Sequence, residues 1–178
     1  MVTIKETVIQ AIRTYLKAHS ASSALTNAQV IPADDKGPRP ALPYMTVSVG
    51  ANSKVGTDEI CDIVVATVPY KYARSQRTIT VTVDGFGLGS EDWLETSSIG
   101  FNLPNQQKTL RDLDLTARPN GDIIDLSSMR DTAIEYHFSQ DWTVDLCWTS
   151  ANQEQVEVLT FETEITADDL VVDVTTTP

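Results

Sequence analysis

The sequence predicts an α+β fold: a mainly antiparallel sheet of four to six strands, with an N-terminal helix and a middle helix packed on it. Three observations predict this class. Residues 4–19 carry apolar side chains at helical spacing, whereas much of the chain after residue 44 alternates apolar and polar side chains, as strands do. A segment with four prolines, residues 31–43, separates the two patterns and is incompatible with a helix. A second helical pattern surrounds Trp93.

The N-terminal helix has a clear start and a clear buried face. Thr3 and Glu6 have the spacing of a capping box, in which each side chain bonds the backbone N–H of the other residue. Lys17 and His19 suit the negative end of the helix dipole, and His19 is expected to be solvated there. The apolar stripe consists of Ile4, Val8, Ala11, Ile12, Tyr15 and Leu16.

The proline-rich segment is predicted to lie along the surface as a stiff strap between helix and sheet. Each proline fixes φ and pushes the residue before it toward an extended conformation, so the segment loses little entropy when it becomes ordered. The strap is expected to set where the helix sits against the sheet. It leads into a half-buried strand, residues 44–49. The strap residues are Pro38, Arg39, Pro40, Pro43 and Tyr44.

Residues 50–75 form a long region of mixed character, in which residues 63–68 are either a short strand or the returning arm of a hairpin. The chain's basic and aromatic residues cluster at the end of this region. Such a cluster can serve nucleic-acid stacking, but the acidic chain favours a loop or a contact between subunits, where aromatic residues and Arg are enriched. The candidate interface residues are Tyr70, Lys71, Tyr72, Arg74, Arg77 and Phe86.

The next strand, residues 77–86, ends at three glycines in alternate positions, Gly85 to Gly89. Their spacing fits no phosphate-binding loop, so they are interpreted as a turn. Ser90 is expected to cap the middle helix around Trp93, which ends before Pro104. A second helical piece covers residues 106–112, and residues 118–122 form a turn followed by a short strand.

The C-terminal third alternates again, with apolar residues at even positions from 134 to 148 except at Gln140, and Ser139-Gln140 is interpreted as a bulge or bend. Residues 150–153 are interpreted as the loop of an antiparallel hairpin whose last strand is 154–166. The prediction is one domain, residues 1–166, followed by an acidic, Thr-rich tail, residues 167–178. The tail segment 170–172 is able to add to the sheet edge of a neighbouring chain.

Composition argues against an enzyme, a metal site or a cofactor site. The formal net charge of −12 over 178 residues disfavours a surface that grips phosphates. Cys61 and Cys147 are expected to be reduced thiols without a metal, and the two histidines lack metal-ligand spacing. The carboxylates alternate with apolar residues, which places them on a solvated face. The N-terminus does not read as a signal peptide, and no segment is long and apolar enough to span a membrane.

Several of these motifs together resemble the neck and tail terminator proteins of tailed bacteriophages, over roughly residues 1–166. The resemblance rests on Pro-Arg-Pro-x-Leu-Pro-Tyr (38–44), the strand leading into the glycine turn, the helix around Trp93, Gly-Asp-Ile-Ile-Asp-Leu-Ser (121–127) and Asp-Trp-Thr-Val-Asp-Leu (141–146). The enlarged region 50–75 and the tail depart from the compact pattern of the family.

The resemblance implies a structural virion protein of the tail and neck, assembled in the bacterial cytoplasm. Such a protein forms a ring, usually a hexamer, that caps the tail tube, stops its polymerisation and joins it to the head connector. The implied partners are further copies of the chain, the tube protein, connector or neck proteins, and the sheath where the tail is contractile. Genome DNA would pass through the lumen without specific binding, and no membrane is involved.

Three alternatives stay open from the sequence. The first is a head-to-tail joining protein that binds the connector without capping the tube. The second is a monomeric binding module for a peptide or a sugar, which requires a ligand-sized pocket. The third is a hydrolase that uses surface carboxylates, which requires perturbed acids in a cleft.

Overall fold

The computed structural model describes residues 3–19, 29–65, 68–130, 133–149 and 154–155. Three helices form within this part of the chain: α1 (Ile4–His19), α2 (Ser90–Gly100) and α3 (Pro104–Arg111). The strands are β1 (Val30–Pro32), β2 (Tyr44–Val65), β3 (Val68–Phe86), β4 (Leu115–Pro119), β5 (Ile124–Asp125), β6 (Ser128–Arg130), β7 (Ala133–Glu135), β8 (His137–Thr149) and β9 (Glu154–Gln155).

The main sheet has the strand order β1-β2-β3-β8-β4, with β5 paired to β8 and β9 paired to β3. β1 runs parallel to β2, whereas β4 and β5 run antiparallel to β8, and β9 antiparallel to β3. Bonds from Thr78 Oγ1 to Asp145 Oδ1 and from Thr82 Oγ1 to Asp141 Oδ1, both 2.6 Å, show that β3 and β8 also run in opposite directions. A mainly antiparallel α+β fold with an N-terminal and a middle helix is therefore confirmed.

The region 50–75 differs from the prediction. Instead of a mixed segment, it consists of the continuous strands β2 and β3, separated by two residues, so that they form a hairpin. Positions 51–60 are all exposed, on both faces of β2. A strand that is exposed to solvent on both faces need not alternate apolar and polar residues. For this reason periodicity alone did not predict this part of β2.

The chain divides into two compact units. The first comprises Met1–Thr57 and Ser75–Trp148, and the second comprises Asp58–Arg74 and Thr149–Pro178. In the second unit β9 pairs with Tyr70 and Lys71 of β3, so the predicted hairpin between β9 and the preceding strand is wrong for the described residues. The remainder of the predicted last strand and the tail, residues 156–178, lie outside the described residues.

The core of the first unit lies between the helices and one face of the sheet. The apolar stripe of α1 is buried as predicted, with Ile4 at its edge. Burial falls on even positions of β8 from Phe138 to Leu146, which confirms the predicted alternation. Side chains from β2 and β3 complete this face: Met45, Val47, Ile79, Val81 and Val83.

An aromatic cluster joins α1, the end of α2 and β8. The ring of Tyr15 stacks on Phe101 at a centroid distance of 4.8 Å, and Trp142 meets Phe101 edge-on at 4.8 Å. The Tyr15 hydroxyl donates a 2.8 Å hydrogen bond to the carbonyl of Ser97, close to the end of α2, where helix carbonyls lack partners within the helix. Burial raises the pKa of this hydroxyl. The cluster therefore fixes α1 against α2 by both packing and a directed bond.

At the two ends of α1, one prediction is confirmed and the other is wrong. The capping box is confirmed: Thr3 N donates to Glu6 Oε2 at 2.8 Å, and Glu6 N donates to Thr3 Oγ1 at 3.2 Å. The bond from the Thr3 backbone N–H lowers the pKa of Glu6. The expectation that His19 is simply solvated is wrong. Its ring lies 5.0 Å from that of Tyr15 and its Nε2 lies 3.0 Å from Thr109 Oγ1, so partial burial lowers its pKa.

The glycine turn before α2 is confirmed, but the predicted role of Ser90 is not. Gly89 is the N-cap and makes no side-chain capping bond, while Ser90 Oγ donates to the carbonyl of Gly87 at 2.8 Å. Ser90 is buried against Gly85, where an added Cβ would lie 2.9 Å from the Ser90 Cβ. Gly87 and Gly89 have φ of 93° and 86°, a conformation that favours glycine. Turn geometry and close packing thus explain the three glycines.

Gly100→Ala is expected to destabilise the protein by about 1–3 kcal/mol, although alanine normally suits a helix better than glycine does. An added Cβ would lie 2.7 Å from the Tyr15 hydroxyl and 1.8 Å from Gln106 Oε1. The Gln106 side chain can move, but moving the Tyr15 ring breaks its bond to Ser97. Chemical denaturation measures the free energy of unfolding.

Gly50→Ala is the matched control, because its added Cβ meets its nearest neighbour, the Thr80 carbonyl, at an ordinary 3.5 Å. In a Tyr15→Phe background the hydroxyl is absent, so Gly100→Ala should cost less there than in the parent protein. Equal costs in the two backgrounds would contradict this account of the cluster.

Candidate functional site

The segment just before the strap residues Pro38–Tyr44 ties α1 to the sheet. Arg13 Nε donates a 2.9 Å hydrogen bond to the carbonyl of Val30 in β1, and Lys5 forms an ion pair with Asp34, just before the strap. The segment 30–34 therefore holds α1. The strap residues that follow are exposed at Pro38 and Arg39 and half-buried at Pro40 and Pro43.

The end of the strap packs closely against the glycine turn. The Leu42–Pro43 peptide bond is cis. A Cβ at Gly87 would lie 3.1 Å from the Pro43 Cα and 3.2 Å from the Leu42 Cβ. Tyr44, which follows, is buried. The strap residues Pro43 and Tyr44 are thus brought to the end of β3, where Phe86 lies.

Phe86 lies between Tyr44 and His137, and the three rings form one stack. The Tyr44 and Phe86 centroids are 4.9 Å apart, and those of Phe86 and His137 are 4.4 Å apart, with interplanar angles of 21° and 14°. His137 Nε2 lies 3.2 Å from Asp84 Oδ1, and Thr46 Oγ1 lies 3.5 Å from the other Asp84 oxygen. The stack therefore connects the starts of β2 and β8 with the end of β3.

Among the candidate interface residues, Phe86 is the one that this stack includes. Neither its ring partner His137 nor Asp84, whose carboxylate contacts His137, was identified from the sequence. Proximity along the chain gives no signal for this contact, because Phe86 and His137 are distant in sequence and meet only when β3 and β8 pair.

In the second unit, the candidate interface residues Tyr70, Lys71, Tyr72 and Arg74 follow one another along β3. Lys71 and Arg74 are exposed, and Tyr72 is half-buried. A hydrogen bond with Cys61, on β2, raises the pKa of the Tyr72 hydroxyl. Because successive side chains of a strand point to opposite faces, Lys71 lies on one face of β3 and Tyr72 and Arg74 on the other.

Arg77, the remaining candidate interface residue, belongs to the first unit. It is half-buried, and its Nε donates a 3.1 Å hydrogen bond to the hydroxyl of Ser75, a buried residue. Arg77 therefore has a local bonding partner next to it on the same strand.

The described residues hold few features of a reaction centre. No group of three or more His, Cys, Asp or Glu side chains is placed to bind a metal ion within this part of the chain. Cys61 and Cys147 are half-buried thiols that are not disulfide-bonded. None of the helices in the described ranges has the length and apolar character needed to cross a membrane.

Phe86→Leu is expected to lower the free energy of unfolding by about 1–3 kcal/mol, because it removes two ring contacts at once. Leu88→Ala, two residues along and 75% exposed, is the control and should change stability by less than about 0.5 kcal/mol. Urea denaturation followed by tryptophan fluorescence measures both. Equal effects of the two substitutions would show that the stack does not stabilise the fold.

The chain was compared with known proteins. The family model for the phage neck terminator protein matches residues 6–169. This range includes α1 except for its first two residues, and all of the strap, the ring stack and the β2–β3 hairpin. No curated protein matches the chain. Because the family model covers most of the sequence, the chain belongs to the phage neck terminator protein family.

Proposed function

We propose that this phage structural protein forms a hexameric ring that caps the tail tube, stops its polymerisation and joins the tail to the head connector. The observation that carries the proposal is the family match over residues 6–169. The partners would be further copies of the chain, the tube protein, the connector or neck proteins, and the sheath in a contractile tail. The proposed protein acts by binding its partners through its surfaces, a role that requires no catalytic group.

The polar face of the sheet has the chemistry expected of a channel lining along which DNA can slide. This face alternates with the buried positions of β3 and β8, and it carries hydroxyl and carboxylate groups such as the pairs Thr78–Asp145 and Thr82–Asp141. Asp145 also forms a 3.3 Å ion pair with Arg118, so it is the Asp141 carboxylate and the net charge of −12 that would repel phosphates. We infer that this face lines the lumen of the ring, where like charge keeps the genome from binding.

The candidate interface residues on β3 would contact neighbouring subunits or the adjacent ring. Lys71 and Arg74 are exposed cations on an acidic chain, and Arg and Tyr are common in the centres of interfaces. The strap, from Pro38 to Tyr44, would hold α1 in position at the ring surface. Its preceding segment supports this role, since it bonds α1 through Val30 and Asp34.

Tail length tests the proposed function. In the phage that encodes this chain, deleting its gene should give overlong tubes without heads, and supplying the chain from a plasmid should restore tubes of normal length. Electron microscopy of lysates measures the lengths. Tubes of normal length that fail to join heads would instead indicate the head-to-tail joining protein that does not cap the tube.

Lys71→Ser is expected to weaken ring or tube association at least about tenfold while leaving the fold unchanged, because the side chain is exposed on β3. Lys36→Ser, an exposed position before the strap, makes the same change of charge and is the matched control. Sedimentation with assembled tubes measures association, and circular dichroism measures folding. Equal binding by both variants and the parent protein would remove Lys71 from the interface.

A further inference from the structure

The β6–β7 hairpin carries an exposed apolar pair. β6 and β7 form a two-stranded sheet of their own, in which Met129 is directly opposite Ile134. The two residues are 77% and 53% exposed. A two-stranded sheet is only marginally stable in water, and Met is enriched in interfaces because its side chain adapts to irregular surfaces. Burial of this pair against another surface would therefore stabilise the hairpin.

A groove with matching chemistry runs along the outer side of α1. It has a volume of about 230 Å³, and Leu113, which follows α3, forms its far wall and is 41% exposed. Ala11 is buried at its base, and the surrounding side chains are uncharged except for Glu6. The lining residues are Glu6, Thr7, Gln10, Ala11, Thr14 and Leu113.

The hairpin and the groove lie toward opposite ends of the same strand of the first unit. β7 ends two residues before His137, where β8 begins. Leu113 is two residues before Leu115, which pairs with Leu146 near the other end of β8. At 3.3 Å per residue, His137 and Leu146 are about 30 Å apart. The hairpin of one chain therefore cannot fill the groove of that same chain.

We propose that Met129 and Ile134 of one copy insert into the α1 groove of the next copy. This inference rests on the proposed function, since it supplies the contact between subunits of the ring. A protruding apolar pair and a complementary groove on one molecule make a heterologous contact, the kind that closes a ring when the rotation between subunits is right. One such contact, repeated, covers both apolar features in every subunit, whereas a tube or connector protein would have to cover each of them separately.

Met129→Glu tests the contact by placing a carboxylate in an apolar groove beside Glu6. We expect self-association to weaken at least about tenfold, measured by analytical ultracentrifugation, with the circular dichroism spectrum unchanged. Ile99→Glu is the control, because Ile99 is 56% exposed on α2, outside the hairpin, the groove and the candidate interface residues. An equal loss of association in both variants, or none in Met129→Glu, would overturn the proposal.

Disulfide trapping tests the same contact directly. In a chain with Cys61 and Cys147 replaced by serine, Met129→Cys combined with Thr14→Cys should give a ladder of covalent oligomers on mild oxidation. Ile99→Cys with Thr14→Cys should give no such ladder. A covalent dimer of the Met129→Cys single variant would indicate a two-fold contact and would contradict the proposal.

The two proposals fail separately. If no ladder forms, or the chain stays monomeric at the highest concentration tested, while tail length in the phage still depends on the chain, the hairpin–groove contact is wrong and the proposed function stands. If tail length does not depend on the chain but the ladder forms, the contact is right and the capping function is wrong.

Discussion

The burial of Trp142 is the constraint on which the rest of the first unit depends. Its side chain is fully buried in β8, and its ring packs edge-on against Phe101. A buried indole N–H needs an acceptor, which Gln140 provides at 2.9 Å from the same strand. Gln140 in turn accepts a hydrogen bond from Ser98 of α2 and donates one to the carbonyl of Gly121, at 3.2 Å. The Gln140 side chain, which the buried Trp142 requires as an acceptor, thus bonds both α2 and the turn before β5 to the sheet.

The ring stack at the end of β3 is a second fixed point, built from residues that are far apart in the chain. Tyr44 lies at the end of the strap and Phe86 at the end of the β2–β3 hairpin. His137 reaches them because β8 pairs with β3. Glycine suits position 87 because its φ is 93° and because an added Cβ would lie only 3.1 Å from the Cα of Pro43. The proline-rich motif and the glycine turn, which appear unrelated in the sequence, are two sides of one contact.

These features agree with the role of a structural protein of the phage neck. Its buried polar groups bond to one another and hold elements in place, and no buried side-chain nitrogen or oxygen among the described residues lacks a hydrogen-bond partner. Its exposed residues differ from region to region: carboxylates and hydroxyls on the open sheet face, cations on β3, and apolar side chains on the β6–β7 hairpin. A protein that acts by assembling needs such differences between its surfaces.

The sequence by itself determined the fold class, the buried faces of α1 and β8, the capping box and the turn at the three glycines. Each of these depends on residues that are neighbours in the chain, so spacing and alternation were enough to predict them. Only the tertiary structure decided the partner of Ser90, the surroundings of His19 and the pairing of β9 with β3, because those contacts join residues that the chain brings together only on folding. It also decided that residues 50–75 form a hairpin, since strands exposed on both faces carry no alternating pattern. Most of the candidate interface residues are close together in the sequence, between Tyr70 and Arg77. Phe86, by contrast, contacts rings from two other strands, and local sequence gives no signal for those contacts.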